Sequence, residues 1–168
     1  MDLEQRRRLV ERYREGPSVI AAALAGASDA DLDARPADGG WTARETTHHI
    51  ADSEITSAIR LRRLIAEDEP EIIGYDGNEF ARTLYYGSRP VEAAVATIAA
   101  VRAVSAEILD RLTEAEWARK GSHNEHPSYG VYEWLEIYAE HCHEHADQIN
   151  AALAEARNVG AVGAAARG

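Results

Sequence analysis

Residues 131–157, VYEWLEIYAEHCHEHADQINAALAEAR, are the stretch on which the fold turns. Trp134, Tyr138, His141, His145, Gln148, Ile149 and Ala152 recur along it at steps of three and four. That period marks one face of an α-helix packed along a core. The two histidines therefore continue the inward face of the helix. Side chains four apart on a helix lie about 5–6 Å from one another at Cβ, so two imidazoles so placed can close on one metal at ~2.0–2.1 Å. Buried in an apolar seam without a partner, they would be costly. A divalent cation relieves that cost. His143 and Cys142 point off the stripe; His143 is expected toward solvent or behind the ligands.

A second long helix supplies a candidate partner. Thr42 followed by Glu45 is a capping box, and the helix is expected to run to about Glu67, with Pro70 as the stop. His48 and His49 sit in it, and adjacent residues differ by about 100° in direction, so only one can face a shared site. His49 shares a strip with Ser53, Thr56 and Arg60, and a polar strip on a core helix is what an internal site needs. His49 is therefore chosen. His123 and His126 fall in a polar stretch and are read as surface residues.

Two further long helices complete the expectation. The first runs from about Leu3 to Leu24, and Gly16-Pro17 should kink or interrupt it. The third follows Ser88-Arg89-Pro90 and carries Val91, Val95, Ile98, Val101, Val104, Ile108 and Leu112 as its apolar stripe. Short capped turns are expected at Ser28–Asp31 and Thr113–Glu116. The fold class is all-α: a four-helix bundle over residues 1–157, with short extra helices. The connection from Glu71 to Gly87 is too long for a tight hairpin, so it allows an up-down-down-up order. Residues 158–168 read as a flexible, Gly/Ala-rich tail.

Composition excludes other classes. The 168 residues carry a formal charge of −11, with a pI near 5.1. No clustered cationic surface is available for nucleic acid or an anionic membrane. No apolar run approaches the ~20 residues that span a bilayer. The single cysteine, Cys142, makes no internal disulfide. A cytoplasmic location is expected.

Asp38-Gly-Gly-Trp-Thr42 with Glu45, His48-His-Ile-Ala-Asp-Ser53, Ile59-Arg60, Tyr75-Asp76 and Tyr138-Ala-Glu-His-Cys-His-Glu-His-Ala-Asp-Gln-Ile149 together resemble the DinB-like metalloprotein superfamily. The branch containing bacillithiol S-transferases, often labelled metal-dependent hydrolases, is the most similar. The resemblance spans roughly residues 20–155. It implies a four-helix bundle, a three-histidine site for zinc or nickel, and a homodimer. Carried over, the ligands are His49, His141 and His145. Relatives often have histidine immediately before the last ligand, where this chain has Glu144.

Three histidines leave a position open on a metal, the mark of a catalytic site. A thiol there is deprotonated; a water there is acidified. The implied activity is S-transfer from a low-molecular-weight thiol, such as bacillithiol or mycothiol, to a small electrophile. A metal-dependent hydrolase is the alternative, and a non-catalytic metal-binding bundle is the second. Asp52 is placed to orient a ligand's N–H, Arg60 to clamp an anionic group on the thiol, and Tyr75 and Asp76 to roof the site. Trp41 and Trp134 are read as packing anchors.

Overall fold

The computed structural model describes residues 1–165, with side chains described through residue 158. Four long helices build a bundle: α1 (Leu3–Leu24), α3 (Ala43–Ala66), α5 (Glu92–Leu109) and α7 (Val131–Ala165). Short helices α2 (Asp29–Asp33), α4 (Gly77–Thr83) and α6 (Glu114–Trp117) lie in the connections. Reciprocal capping boxes open α2 at Ser28, α3 at Thr42 and α6 at Thr113, as the sequence predicts. No helix among the described residues is long and apolar enough to cross a membrane.

The pairings fix the helix directions. Val10 of α1 shares one core cluster with Ala106 and Leu109 of α5, while Ile20 further along α1 shares the other with Ala94 and Ile98 nearer the start of α5, so these two run antiparallel. Trp134 donates to the Ser57 carbonyl while His145 meets His49, so α3 and α7 are antiparallel. Arg102 bonds Glu54 and Ser105 meets Arg62, which makes α3 and α5 parallel. Arg12 bonds Glu140 and Tyr13 packs on Trp134, while Ile20, further along α1, shares a core cluster with Ile149, further along α7, so α1 and α7 are parallel. These pairings give the up-down-down-up order.

Parallel neighbours need a crossover, and residues 67–91 provide it. This connection is structured: it holds β1 (Glu71–Ile72), α4 and a 3₁₀ turn at Tyr86–Ser88. The polar stretch before α7 is also ordered, as β2 (Lys120–His123) and β3 (Tyr129–Gly130). β1 pairs parallel with β2, in register Ile72 to His123, and β2 pairs antiparallel with β3. The all-helical expectation thus gains a three-stranded clasp joining the two connections. Strands this short carry no periodicity a sequence reading can detect.

Three expectations change. Helix α1 runs through Gly16-Pro17 without a break. Proline has no N–H for the Tyr13 carbonyl, but Arg102 Nη1 donates to that oxygen at 2.6 Å. A Cβ at Gly16 would stand 2.2 Å from the same nitrogen. The pair is a docking notch for a guanidinium. Helix α5 ends at Leu109, short of Leu112, and its buried face is Ala94, Ile98, Arg102, Ser105, Ala106 and Leu109. Val104 of the expected stripe is 48% exposed. Helix α7 continues past Arg157 to Ala165, and of the predicted tail residues 166–168 lie outside the described residues.

The core has two apolar clusters. One holds Tyr13, Leu61, Leu109, Trp134 and Leu135; the other holds Ile20, Ile50, Ile98, Ile149 and Leu153. Between them lie Gly16 on α1, Glu54 on α3 and Arg102 on α5, with Cys142 of α7 at the edge of the second cluster. Glu54 and Arg102 are fully enclosed, 0% and 1% exposed at the side chain, and joined at 2.7 Å. Removing one partner of such a pair leaves an uncompensated buried charge. Arg102→Leu is expected to cost about 3–5 kcal/mol of stability, read from urea denaturation. Adding Glu54→Leu to it should recover most of that loss.

Candidate metal centre

The site forms where α3 and α7 pass antiparallel. His49 projects from the first turns of α3; His141 and His145 project from one face of α7. One ring nitrogen of each lies within 4.8 Å of the others. Ring centroids are 4.5 Å apart for His141 and His145, 4.9 Å for His49 and His145, and 5.6 Å for His49 and His141. His48 faces the other way, buried, with Nε2 on the Arg89 carbonyl at 3.1 Å. The choice between the adjacent histidines thus has a simple origin: the 100° step sends one to the bundle seam and one to the 3₁₀ turn.

All three imidazoles are held as neutral bases. Burial, with the neighbouring His145, pulls His49 down to about 4. Burial first, then His145 and His49, drives His141 well below its ordinary range. Burial lowers His145, against a hydrogen bond to Gln148 at 2.8 Å. The buried Nδ1 atoms of His49 and His141 have no hydrogen-bond partner. Orphaned buried polar atoms are rare in folded proteins. Clustered neutral nitrogens of this kind suit a divalent ion, which takes lone pairs from unprotonated imidazoles.

The surroundings are hydroxyl-rich. Ser53 Oγ stands 3.4 Å from His141 Nε2, and the Tyr138 ring centroid is 5.6 Å from that of His141. Tyr75 stacks on Phe80 at 4.4 Å. Burial raises the Tyr75 hydroxyl, while Ser53 and Thr56 hydroxyls pull it back. Trp41 packs on His49 at 4.7 Å, and Gly77, opening α4, lies close to both rings. Asp76 caps α4 through Asn78 and Glu79. Arg60 reaches Tyr138 Oη at 3.3 Å and the Ile73 carbonyl at 2.9 Å. Asp52 accepts the Tyr86 hydroxyl at 2.6 Å, so its carboxylate does not serve a histidine N–H.

Glu54 takes the place expected of Asp52. Its Oε1 is 3.9 Å from His141 Nδ1 and accepts from Arg102. Burial raises this carboxyl, and Arg102 opposes the shift. Sequence reasoning passed over Glu54 because an acid in a helix reads as solvent-facing. Two other placements differ from expectation. His143 packs on α1, with Nε2 on the Arg12 carbonyl at 3.1 Å. His123 is buried at 9% exposure, while His126 is exposed as expected. Cys142 is fully buried, and burial pushes its thiol up to about 12, so it is inert at neutral pH.

Comparison with known proteins follows the same lines. The family model of the DinB superfamily matches residues 12–149. A protein of Geobacillus thermodenitrificans named "Putative metal-dependent hydrolase" is 30% identical over 132 residues, 74% of each chain. One of Oceanobacillus iheyensis with the same style of name is 31% identical over 136 residues, covering 81% of this chain and 78% of its own. The solved structure of YfiT from Bacillus subtilis, described as a probable metal-dependent hydrolase with an unusual four-helix bundle topology, aligns with a TM-score of 0.84. It is 26% identical, with 95% of this chain and 90% of that chain covered.

The titrations predict a direction. Between the ordinary imidazole pKa of 6.5 and the value of about 4 for His49, the unfolded chain binds more protons than the folded one. Stability of the metal-free protein should therefore fall as pH drops through that window. Melting temperatures from about pH 7.5 to about pH 4.5 test this. His49→Phe should flatten the profile; Glu54, which titrates in the opposite sense, is common to both proteins.

Proposed function

The chain belongs to the DinB superfamily, and on that premise we propose that it is a metal-dependent S-transferase acting on a low-molecular-weight thiol. The carrying observation is the trio of neutral imidazoles from two antiparallel helices, with ring nitrogens within 4.8 Å. His49, His141 and His145 would hold the ion, and zinc or nickel suits imidazole donors. Such an ion supplies Lewis acidity, lowering the pKa of a thiol or a water in its open position.

The surrounding residues favour the thiol. A thiol needs no general base once its pKa is lowered. Of the carboxylates around the triad, Asp52 accepts from Tyr86 and Glu54 Oε1 from Arg102, while Glu54 Oε2 is buried without a partner. What faces the triad is hydroxyl: Ser53, with Tyr75 and Tyr138 beyond it. These groups orient a polar substrate by donating and accepting hydrogen bonds. In the transfer, sulfur bonds to the electrophilic carbon, the displaced group leaves with its electron pair, and the thiol proton passes to solvent. Glu54, held by Arg102, places a carboxylate oxygen 3.9 Å from His141 Nδ1. Trp41 and Gly77 close the His49 side against water.

Hydrolysis is the second reading, and the names of the Geobacillus and Oceanobacillus relatives favour it. One experiment separates the two. Purified protein is loaded with zinc or nickel, and metal content is measured for wild type, His49→Ala and His145→Ala. One equivalent is expected in wild type, with a loss of about tenfold or more in affinity in each variant. The loaded enzyme is then given a haloalkane and an ester panel, with and without a small thiol. Haloalkane consumption that requires thiol supports transfer. Ester cleavage without thiol supports hydrolysis and removes the transferase. Full metal retention in both variants removes the triad.

A further inference from the structure

Beside the triad lies a group of hydrogen-bond donors that the transfer reaction does not use. His123 sits on β2, paired with Ile72 of the crossover. Its Nδ1 accepts the Glu125 N–H at 3.0 Å. A neutral imidazole with an accepting Nδ1 carries its proton on Nε2. That Nε2 is buried and has no partner. The Tyr129 ring lies 4.7 Å from the His123 ring, and its hydroxyl is likewise buried without a partner. Tyr129 as a whole is 1% exposed and His123 is 9% exposed.

Arg60 joins these two groups to the triad. It spends one Nη on the Ile73 carbonyl and the other on Tyr138 Oη. Accepting from Arg60 leaves the Tyr138 O–H free to donate. The guanidinium is close enough to act on both orphans. It lowers His123 after burial has done so, and it pulls Tyr129 down against burial. Ser53, 3.4 Å from His141 Nε2, stands between Tyr138 and the triad.

The set is one cation, one imidazole N–H and two phenol hydroxyls, with the nearby Asp52 already bonded to Tyr86. Buried donors without acceptors are costly. A guanidinium beside neutral O–H and N–H donors is complementary to an oxyanion, above all a planar carboxylate. A cation is the competing occupant, because His123, Glu125 and His126 offer atoms within 4.8 Å of one another. Glu125 and His126 are exposed, however, and the His123 tautomer puts a proton where a metal would bind. The positive charge of Arg60 opposes a cation further.

We propose that Arg60, His123, Tyr129 and Tyr138 form a subsite for the carboxylate of the small molecule whose reacting group lies at the triad. The subsite deepens the transferase reading and rests on it. The carboxylate belongs either to the thiol or to the electrophile.

Metal-loaded protein is titrated calorimetrically with N-acetylcysteine and with N-acetylcysteamine, the same thiol without the carboxylate. In a second arm, turnover of chloroacetate is compared with that of chloroacetamide, each divided by its uncatalysed rate, using N-acetylcysteamine as thiol. There the S–C bond forms as C–Cl breaks, chloride leaves, and the thiol proton passes to buffer. A preference of about tenfold for the carboxylate is expected in one arm. Preference in the first arm places the carboxylate on the thiol; in the second, on the electrophile. Arg60→Gln and His123→Gln should each bring the ratio close to one, with one metal per chain and affinity for N-acetylcysteamine retained. Two variants in different elements guard against a folding defect in either, checked by melting temperature. No preference in either arm, with metal bound, overturns the subsite and leaves the triad standing. So does a preference that both variants keep. A second metal equivalent lost in His123→Gln overturns it in favour of a cation site. Wild type without bound metal removes triad and subsite together.

Discussion

One guanidinium holds the four long helices in register. From α5, Arg102 donates to the Tyr13 carbonyl on α1, the Glu54 carboxylate on α3 and the Tyr138 carbonyl on α7. It also lies over the Tyr13 ring at 4.3 Å. Burying an ion pair is expensive, and Coulomb attraction alone does not repay it. The extra carbonyl bonds and the π face make the site tolerable. The node adds directional bonds between the four helices at one level of the bundle, which apolar contacts do not supply. It is also why Gly16 and Pro17 are tolerable inside a helix. The first leaves space for the guanidinium, and the second vacates the carbonyl it needs.

The node reaches the histidines through Glu54. Oxygen Oε1 accepts from Arg102 and stands 3.9 Å from His141 Nδ1. One carboxylate therefore belongs to the structural centre of the bundle and also lies next to one imidazole of the triad. Cys142, adjacent to His141 in sequence, approaches the same Glu54 oxygen, with Sγ at 3.9 Å. The soft nucleophile of the chain is thus spent on packing, and burial raises its pKa. Ser53, Glu54 and Ser57 make the side of α3 that faces α5 and α7 polar where it is buried, and His48 is buried on another side, against Arg89.

The legible parts of this structure are those written in local patterns. Thr42 with Glu45 and Ser28 with Asp31 name helix starts, since a capping box is a contact three residues long. The i, i+4 pair His141 and His145 and the strip His49, Ser53, Thr56, Arg60 follow from helical period alone. Arg102 was not legible, because an arginine among valines reads as the solvent edge of a stripe. Its burial depends on a notch in α1, far away in sequence. The valines around it are correspondingly displaced outward, with Val104 half exposed. Glu54 was hidden for the same reason, since its burial makes sense only with Arg102. His123 was hidden because a two-residue parallel bridge to Ile72 buries it, and no window of sequence contains both partners.

The topology explains where the chemistry sits. Because α3 and α5 are parallel, the chain must travel the length of the bundle between them. A shorter link would reverse the chain and build an ordinary up-down bundle, with nothing over the histidines. The crossover instead brings Tyr75 and Gly77 across the His49 side and sets Ile72 against β2. That strand pairing in turn places His123 and Tyr129 beside Arg60. Half of the polar lining is therefore a by-product of returning the chain to the starting end of α3. Loops anchored on a rigid bundle can vary while the histidines stay fixed by helix register. On the proposed function, substrate choice would draw on the two connections together with Arg60 and Tyr138, and the reacting group would meet the histidines of α3 and α7.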